Sequence, residues 1–215
     1  YLIKKTYLFF LFSNYFMNEL EIFENCIKHL AEIYSHEDNK DARETTKFLY
    51  SADCQSIKLN EQEDSKSLSR IFNSFEVENE HPLVKEVRKI SHLLPWYQTD
   101  MGGRIDDDLK SQMIMTELVG PHSLLYTEEF ELGVFLQLPN VNYPKRRHPA
   151  EETFYTLSGK SLWQLEDNEE REKIIGEYIF HPSMAMHANR TTDEHLIACW
   201  RWSGDISLEN YYKYQ

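Results

Sequence analysis

The feature that most constrains the fold of this chain is a pair of segments, within residues 143–189, that repeat histidine and glycine at fixed spacing. In the first segment, three residues separate His148 from Glu152, and six more precede Gly159. A glycine at that position predicts a tight turn between two strands. Because side chains alternate between the two faces of a strand, we expect His148, Glu152 and Phe154 to point to one side together.

The second segment supplies a partner for the first. Five residues separate Gly176 from Pro182, and four more precede His187. If this segment pairs with the first inside a small barrel, His187 closes on the same interior as His148 and Glu152. Two imidazoles and one carboxylate with open positions are a ligand set for one divalent transition metal, such as iron, manganese, zinc, nickel or cobalt.

Length and composition exclude several classes of protein. A chain of 215 residues has room for one domain, or a small domain with an appendage. The net charge is −13 and no basic cluster is long enough to follow a phosphate backbone, so nucleic acid is not an expected partner. Three widely spaced cysteines, Cys26, Cys54 and Cys199, argue against a disulfide framework and for a reducing, cytoplasmic compartment.

Residues 1–16 stand apart from the rest of the chain. Lys4 and Lys5 precede a short apolar run, residues 7–12, which reads as a short leader or as a non-native start ahead of Met17. We favour a translation start at Met17, which opens a well-patterned helix. The run is too short to span a bilayer, so no membrane partner is expected.

Residues 17–97 read as an N-terminal helical segment. Apolar residues recur at helical spacing in four stretches, with Asp41 as a predicted N-cap and Pro82 in a predicted first turn. This segment is expected to cover one face or mouth of the C-terminal half of the chain. Residues 98–111 read as a connector, in which Asp106–Asp108 predict a solvated turn rather than a calcium loop.

In residues 112–215 the apolar period changes to two. Strands are predicted over residues 113–118, 130–138, 152–158, 161–165, 177–180 and 196–202. Many short strands punctuated by Pro, Gly and Asn indicate an antiparallel sandwich or barrel.

The two spaced segments resemble the two motifs of the cupin superfamily, H-x-H-x3-E-x6-G and G-x5-P-x-G-x2-H-x3-N. Three positions depart from them: Arg146 replaces the first His, Met184 the second Gly and Thr191 the final Asn. Residues 94–206 resemble the cupin-type dimethylsulfoniopropionate (DMSP) lyases more specifically. The runs that carry this likeness are GVFLQLP (133–139), YP (143–144), HPAEETFYTLSG (148–159), HANRT (187–191) and WRWSGD (200–205).

The resemblance implies an all-β cupin barrel, antiparallel and of the double-stranded β-helix or jelly-roll type, preceded by the N-terminal α-helical segment. It implies one divalent metal and β-elimination of a small-molecule substrate, DMSP, to dimethyl sulfide and acrylate. A homodimer is left open. The rival hypotheses are another metal-dependent cupin enzyme, such as an isomerase or oxygenase, and a non-catalytic ligand-binding cupin.

Metal ligands are predicted at His148, Glu152 and His187, whereas His181 and His195 are predicted to lie at the surface. Arg146 leaves four readings open, because a guanidinium cannot lose a proton to become a ligand. The centre is a three-ligand site, or the nearby positive charge reduces its metal affinity, or Arg146 turns inward and clamps a substrate carboxylate, or it is an exposed residue of a basic run.

The family has a tyrosine, thought to be the general base, where this chain has Phe154. Tyr155 should face the opposite side of the strand, which makes Tyr143 the better candidate for a catalytic role, with packing as its alternative. Phe154 is then a pocket residue. Trp200 and Trp202 share one strand face, where their indoles could bind the substrate sulfonium by cation–π attraction or fill the core.

Overall fold

The computed structural model describes residues 17–75, 79–99 and 105–213. The leader or non-native start predicted for residues 1–16 lies outside these ranges. The α-helices are α1 (Glu19–Ser35), α2 (Lys40–Ser51), α3 (Lys66–Ser74), α4 (Pro82–Ile90), α5 (Asp107–Ser111) and α6 (Leu208–Lys213), with short 3₁₀ turns at Glu63–Ser65 and Ser91–Leu93. Within the described ranges, no helix combines the length and the apolar character needed to cross a bilayer.

The described strands are β1 (Met113–Gly120), β2 (Leu125–Tyr126), β3 (Phe130–Gln137), β4 (Asn142–Arg146), β5 (Ala150–Leu165), β6 (Arg171–Ile174), β7 (Tyr178–His181), β8 (His187–Arg190) and β9 (Leu196–Gly204). All pairings are antiparallel except the short parallel ladder of β1 with β2. The main path runs β2-β1-β3-β9-β5-β8-β4, with β6 and β7 also on β5, and it does not close into a ring among the described residues.

β5 joins two facing sheets and corrects the turn predicted at Gly159. Its first part pairs with β9 and β7, and its second part pairs with β6 and β8. Gly159 has φ 69°, and a Cβ there would overlap the carbonyl oxygen of His195. The glycine therefore lets one long strand bend between sheets, next to a register shift between Thr156 and Ser158, and does not end it.

The N-terminal helices form where their sequence patterns predict. Asn18 caps α1 in a reciprocal capping box with Glu21, and Pro82 occupies the first turn of α4. The N-cap of α2 is Asn39, whose Oδ1 accepts from the Ala42 backbone N–H at 2.7 Å, so the prediction of Asp41 as the N-cap was wrong.

The connector also differs from its prediction. Asp106 caps the short helix α5 by accepting from the Leu109 backbone N–H at 2.8 Å, and Asp107 and Asp108 occupy its first turn. Carboxylates near a helix N-terminus are favoured by its dipole, which explains the acidic run without a solvated turn or a metal.

Two apolar clusters hold the fold together. The larger joins the helices to the outer face of the sheet and includes Phe23, Leu30, Leu118 and Ile197. The smaller lies between the sheets and includes Phe135, Phe154, Trp163 and Trp200. All three cysteines are buried and free.

Candidate metal centre

Three side chains from different elements meet on the interior face of the barrel. Glu152 projects from β5, His187 opens β8, and His148 lies in the loop before β5. One ligand atom from each lies within 4.8 Å of the others, and all three residues are buried. The spaced segments of the sequence therefore converge on one point.

The imidazoles are oriented with their Nε2 atoms towards Glu152. Glu152 Oε2 lies 3.6 Å from His148 Nε2 and 3.3 Å from His187 Nε2. On the other side of each ring, Nδ1 lies 3.0 Å from the Ala150 carbonyl in His148 and 2.9 Å from the Ala185 carbonyl in His187. These carbonyls require the proton on Nδ1, which leaves each Nε2 lone pair free to accept.

The buried Nε2 atoms test whether these residues suit a metal. Neither Nε2 makes a hydrogen bond with a described residue. A buried polar atom without a partner costs free energy, and a cation between two imidazoles and a carboxylate removes that cost. The donor set thus fits a divalent transition metal.

Electrostatics keep Glu152 and His187 in their electron-donating forms. Burial opposes ionisation of Glu152, but contacts from His148, His181 and His187 outweigh it and hold the pKa of its carboxyl well below the usual range. Burial, with the nearby Arg146 charge, lowers the pKa of His187 to about 3. A carboxylate beside neutral imidazoles is the state that binds a cation.

His181, predicted at the surface, is instead buried beside the metal centre. It is 1% exposed, its Nδ1 lies 2.9 Å from Glu152 Oε2, and its ring stacks on His187 at 4.1 Å. On β7, His181 pairs directly with Glu152, and it alternates with exposed Phe180. Adjacent residues of a strand point to opposite faces, so this alternation in the sequence could have indicated that His181 points inward.

His195 was also wrongly predicted to be exposed. It is buried on the other side of the sheet, where its Nε2 lies 3.0 Å from Ser158 Oγ and its ring packs on Phe75. It belongs to the contact between helices and sheet and not to the cavity. Its partner Ser158 lies an even number of residues after Glu152, but the register shift between Thr156 and Ser158 breaks the alternation, so the two side chains do not share a face.

Arg146 points inward, which corrects the reading of an exposed basic run. It is 4% exposed, and its Cα pairs directly with that of His187 across β4 and β8. Nη2 donates to Asn189 Oδ1 at 3.3 Å, while Nη1 has no hydrogen-bond partner among the described residues. Asn189, which the sequence did not identify as a site residue, thus orients the guanidinium and leaves its Nη1 available as a donor.

Tyr143 lines the cavity, and the Arg146 guanidinium stacks on its ring. The guanidinium carbon is 3.7 Å from the centre of the Tyr143 ring, and the ring also stacks near Phe135. Burial raises the pKa of Tyr143, and the Arg146 charge opposes that increase. The phenol is therefore neutral unless a further positive charge approaches it.

Phe154 and Tyr155 take the faces that alternation predicts. Phe154 is buried in the cavity wall against Phe135, Trp163 and His181. Tyr155 packs on the opposite side, against His81 and Tyr178. Because the register shift in β5 comes after Tyr155, it does not bring that hydroxyl into the cavity.

The centre opens into a cavity of about 320 Å³. Trp200 and Trp202 both line it, and their ring centres are 5.9 Å apart. Trp202 Nε1 donates to Glu152 Oε1 at 2.6 Å, so the second carboxylate oxygen is also fixed. Tyr211 of α6, which sequence reasoning missed, adds a ring 5.2 Å from Trp202.

Comparison with known proteins places this arrangement in a family. A family model described as dimethylsulfoniopropionate lyase matches residues 59–198, more than half of the chain. The chain belongs to the dimethylsulfoniopropionate lyase family. The matched range contains His148, Glu152 and His187, and the helix α4.

Individual relatives agree with the family. The dimethylsulfoniopropionate lyase DddQ of Ruegeria pomeroyi is 30% identical over 111 residues, which are 52% of this chain and 55% of that protein. The chain thus matches about half the length of this curated relative. The crystal structure of DddQ from Ruegeria pomeroyi superposes with a TM-score of 0.69 at 20% identity, covering 87% of this chain and 93% of that one.

A second solved structure, one of the DMSP lyases RdDddP and RnDddQII, superposes with a TM-score of 0.64 at 18% identity. It covers 85% of this chain and 94% of that one. At these identities the likeness shows the fold, and the prediction of a cupin fold behind a helical segment is confirmed.

Proposed function

We propose that this protein is a metal-dependent carbon–sulfur lyase that eliminates dimethyl sulfide from DMSP and leaves acrylate. The observation that carries the proposal is the buried cluster of His148, Glu152 and His187, with two free Nε2 atoms, beside a cavity that His148 and Glu152 line, in a chain of the DMSP lyase family. These three residues are proposed as the ligands of one divalent transition metal.

The side chains around the cluster have separable tasks. A bound divalent metal would supply positive charge against the enolate-like charge that develops on the substrate carboxylate. Arg146 binds that carboxylate through its free Nη1 and orients the α-carbon. Phe154, Trp200 and Trp202 wall the cavity with apolar surface and limit the entry of water.

The α-proton must move to a base, and Tyr143 is the proposed acceptor. Tyr143 lines the cavity, and the Arg146 guanidinium, 3.7 Å from the centre of its ring, opposes the increase in its pKa that burial causes. Phe154 has no proton to exchange and serves packing and pocket shape. Loss of activity in Tyr143→Phe with unchanged metal binding supports this role, and full activity in that variant assigns Tyr143 to packing.

The proposed function is tested by headspace dimethyl sulfide over protein loaded separately with manganese, iron, zinc, nickel or cobalt and given DMSP under argon. Release that His187→Ala abolishes, and that the exposed His92→Ala retains, is the expected result. Absence of release with every metal, from protein shown to be folded, overturns the proposal.

Arg146 and Phe154 favour a second candidate, another metal-dependent cupin reaction on a small carboxylate. Both stand where the family pattern has a metal ligand and a base, and both line the cavity. An oxygenase requires dioxygen for turnover, whereas elimination proceeds equally well under argon. Consumption of dioxygen with a carboxylate substrate, without dimethyl sulfide release, selects this candidate.

We further propose a cytoplasmic location, because three free, buried thiols are compatible with a reducing compartment. The partner is a small molecule and not nucleic acid or a membrane, and a homodimer stays a prediction. Residues 17–97 and 112–215 are proposed as the helical segment and the barrel, joined by residues 98–111.

A further inference from the structure

The cavity has a second polar region, two strands away from Glu152 and beside the exposed His122. Glu117 of β1 and Glu131 of β3 line the same cavity as Glu152 and Arg146. The strand register places Glu131 directly opposite Trp202, and Trp202 directly opposite Glu152. The two glutamates of this row are thus two strand spacings apart, about 10 Å between backbones.

Glu131 is the unusual member of this row. It is only 6% exposed and lines the cavity, and its carboxylate oxygens make no hydrogen bond or ion pair with the described residues. A largely buried carboxylate without a protein partner is costly as an anion, and a bound cation is one group that can supply the missing partner.

The neighbouring backbone is shaped around this carboxylate. A Cβ at Gly120 would collide with the Glu117 carboxylate and meet Glu131 Cγ at 3.0 Å, so glycine makes room for both side chains. Ser123 donates to Glu117, which leaves Glu131 as the free acceptor of the pair. Burial, with the adjacent Glu117 charge, raises the pKa of Glu131 to about 8, and an arriving cation reverses that increase.

We infer that Glu131, with Glu117 beside it, forms a subsite for the cationic group of a small zwitterionic carboxylate whose anionic end faces Arg146. This inference rests on the proposed function. It identifies Glu131 as the group that selects a substrate with a sulfonium or similar onium group over one with a neutral alkyl group. Trp202 lies between Glu131 and Glu152 in the strand register. Cation–π attraction between its indole and the cationic group of the ligand adds to the attraction by the Glu131 carboxylate.

The inference is tested by comparing two ligands of the same shape and different charge. 3-(Trimethylammonio)propanoate carries a permanent cation, and 4,4-dimethylpentanoate replaces its nitrogen with carbon. Calorimetric titration of zinc-loaded protein with each gives a ratio of affinities. We expect the wild-type protein to bind the cationic ligand at least tenfold more tightly.

Glu131→Gln keeps the shape of the side chain and removes its charge. We expect this variant to lose at least tenfold in affinity for the cationic ligand and to bind the neutral ligand as the wild type does. Glu129→Gln removes the same charge from an exposed position two residues away and should leave both affinities unchanged. Thermal unfolding of each variant verifies that it is folded. Glu131→Gln replaces an unpaired carboxyl group with a neutral amide of the same shape, so it should not be destabilised.

Two results overturn the inference. One is a wild-type protein that does not prefer the cationic ligand, and the other is an equal change for both ligands in Glu131→Gln. Because the readout is binding and needs no elimination, a protein that discriminates charge but releases no dimethyl sulfide rejects the proposed reaction and retains the subsite. A protein that releases dimethyl sulfide but does not discriminate between the charged and the neutral ligand rejects the subsite and retains the proposed reaction.

Discussion

Replacing His181 with phenylalanine removes one hydrogen bond from the metal centre and keeps a ring of similar size in place. The bond joins His181 Nδ1 to Glu152 Oε2 at 2.9 Å, and both side chains are almost completely buried. A hydrogen bond to a charged group contributes about 1.5–3 kcal/mol, and each 1.4 kcal/mol changes an equilibrium constant about tenfold. We therefore expect His181→Phe to weaken metal binding about 10- to 100-fold, as for other groups that hold a ligand in place.

The assay is competition for zinc against a chromogenic chelator, followed as the chelator's absorbance. His195→Phe is the matched control, because it replaces another buried histidine on the far side of the sheet and should leave zinc affinity unchanged. His181→Asn keeps a donor near the position of Nδ1 and should recover part of the loss. Wild-type affinity in His181→Phe would reduce His181 to packing, and a loss far above 100-fold would make its imidazole a ligand itself; either result refutes the positioning role.

Three further predictions concern other parts of the molecule. Phe154→Tyr places a phenol in the cavity and should raise dimethyl sulfide release at least tenfold, since a general base contributes about 10²–10⁴ in rate; an unchanged rate contradicts the account of the missing base. Arg201→Met removes the ion pair with Glu37 at 3.0 Å and leaves that largely buried carboxylate, among the described residues, with hydrogen bonds from Thr153 and Asn39 only. The free energy of unfolding measured in urea should fall by about 3 kcal/mol, and a change below about 1 kcal/mol refutes this anchor between helices and sheet. Because the pKa of His187 is about 3 in the folded protein and about 6.5 when unfolded, the unfolded chain binds the extra proton between these values. The metal-free protein should lose about 1.4 kcal/mol of stability for each pH unit below about 6.5, and His187→Gln should reduce this loss. The free energies of unfolding are measured in urea at pH 7 and pH 5. An equal difference between the two pH values in the wild type and in His187→Gln contradicts the prediction.

The sequence was sufficient to predict that His148, Glu152 and His187 lie close together, because local geometry determines the directions of their side chains. Alternation along β5 places Glu152 and Phe154 inward and Tyr155 outward, and the structure has all three on those faces. His187 follows from the second spaced segment, which is read in the same way. Residues whose direction depends only on strand parity could thus be placed without knowledge of their partners.

Other site residues depend on pairings that one segment does not reveal. His181 lies on a strand of four residues, and its place beside Glu152 comes from the register of β7 against β5. Tyr143 and Arg146 are three positions apart and both buried, which strict alternation forbids. An irregularity between them on β4 allows it, and Pro144, which lies between them, is the sequence signal that strict alternation fails there.

The inward Arg146 suggests that metal and carboxylate binding support each other. A guanidinium directly opposite His187 repels a cation at the proposed centre, and a carboxylate on its free Nη1 neutralises that repulsion. Coupling of this kind is reciprocal and is typically about 1–3 kcal/mol, or about 5- to 150-fold in affinity. Zinc should therefore bind at least fivefold more tightly in saturating acrylate than in its absence.

Arg146→Gln separates the two effects of the guanidinium. Without the repelling charge, zinc affinity in the absence of acrylate should rise, and the gain from adding acrylate should shrink towards onefold. Arg147→Gln, at the exposed neighbouring position, should behave as the wild type does. If acrylate strengthens zinc binding equally in Arg146→Gln and the wild type, the carboxylate does not use Arg146. The arginine then lowers metal affinity with no compensating role in substrate binding.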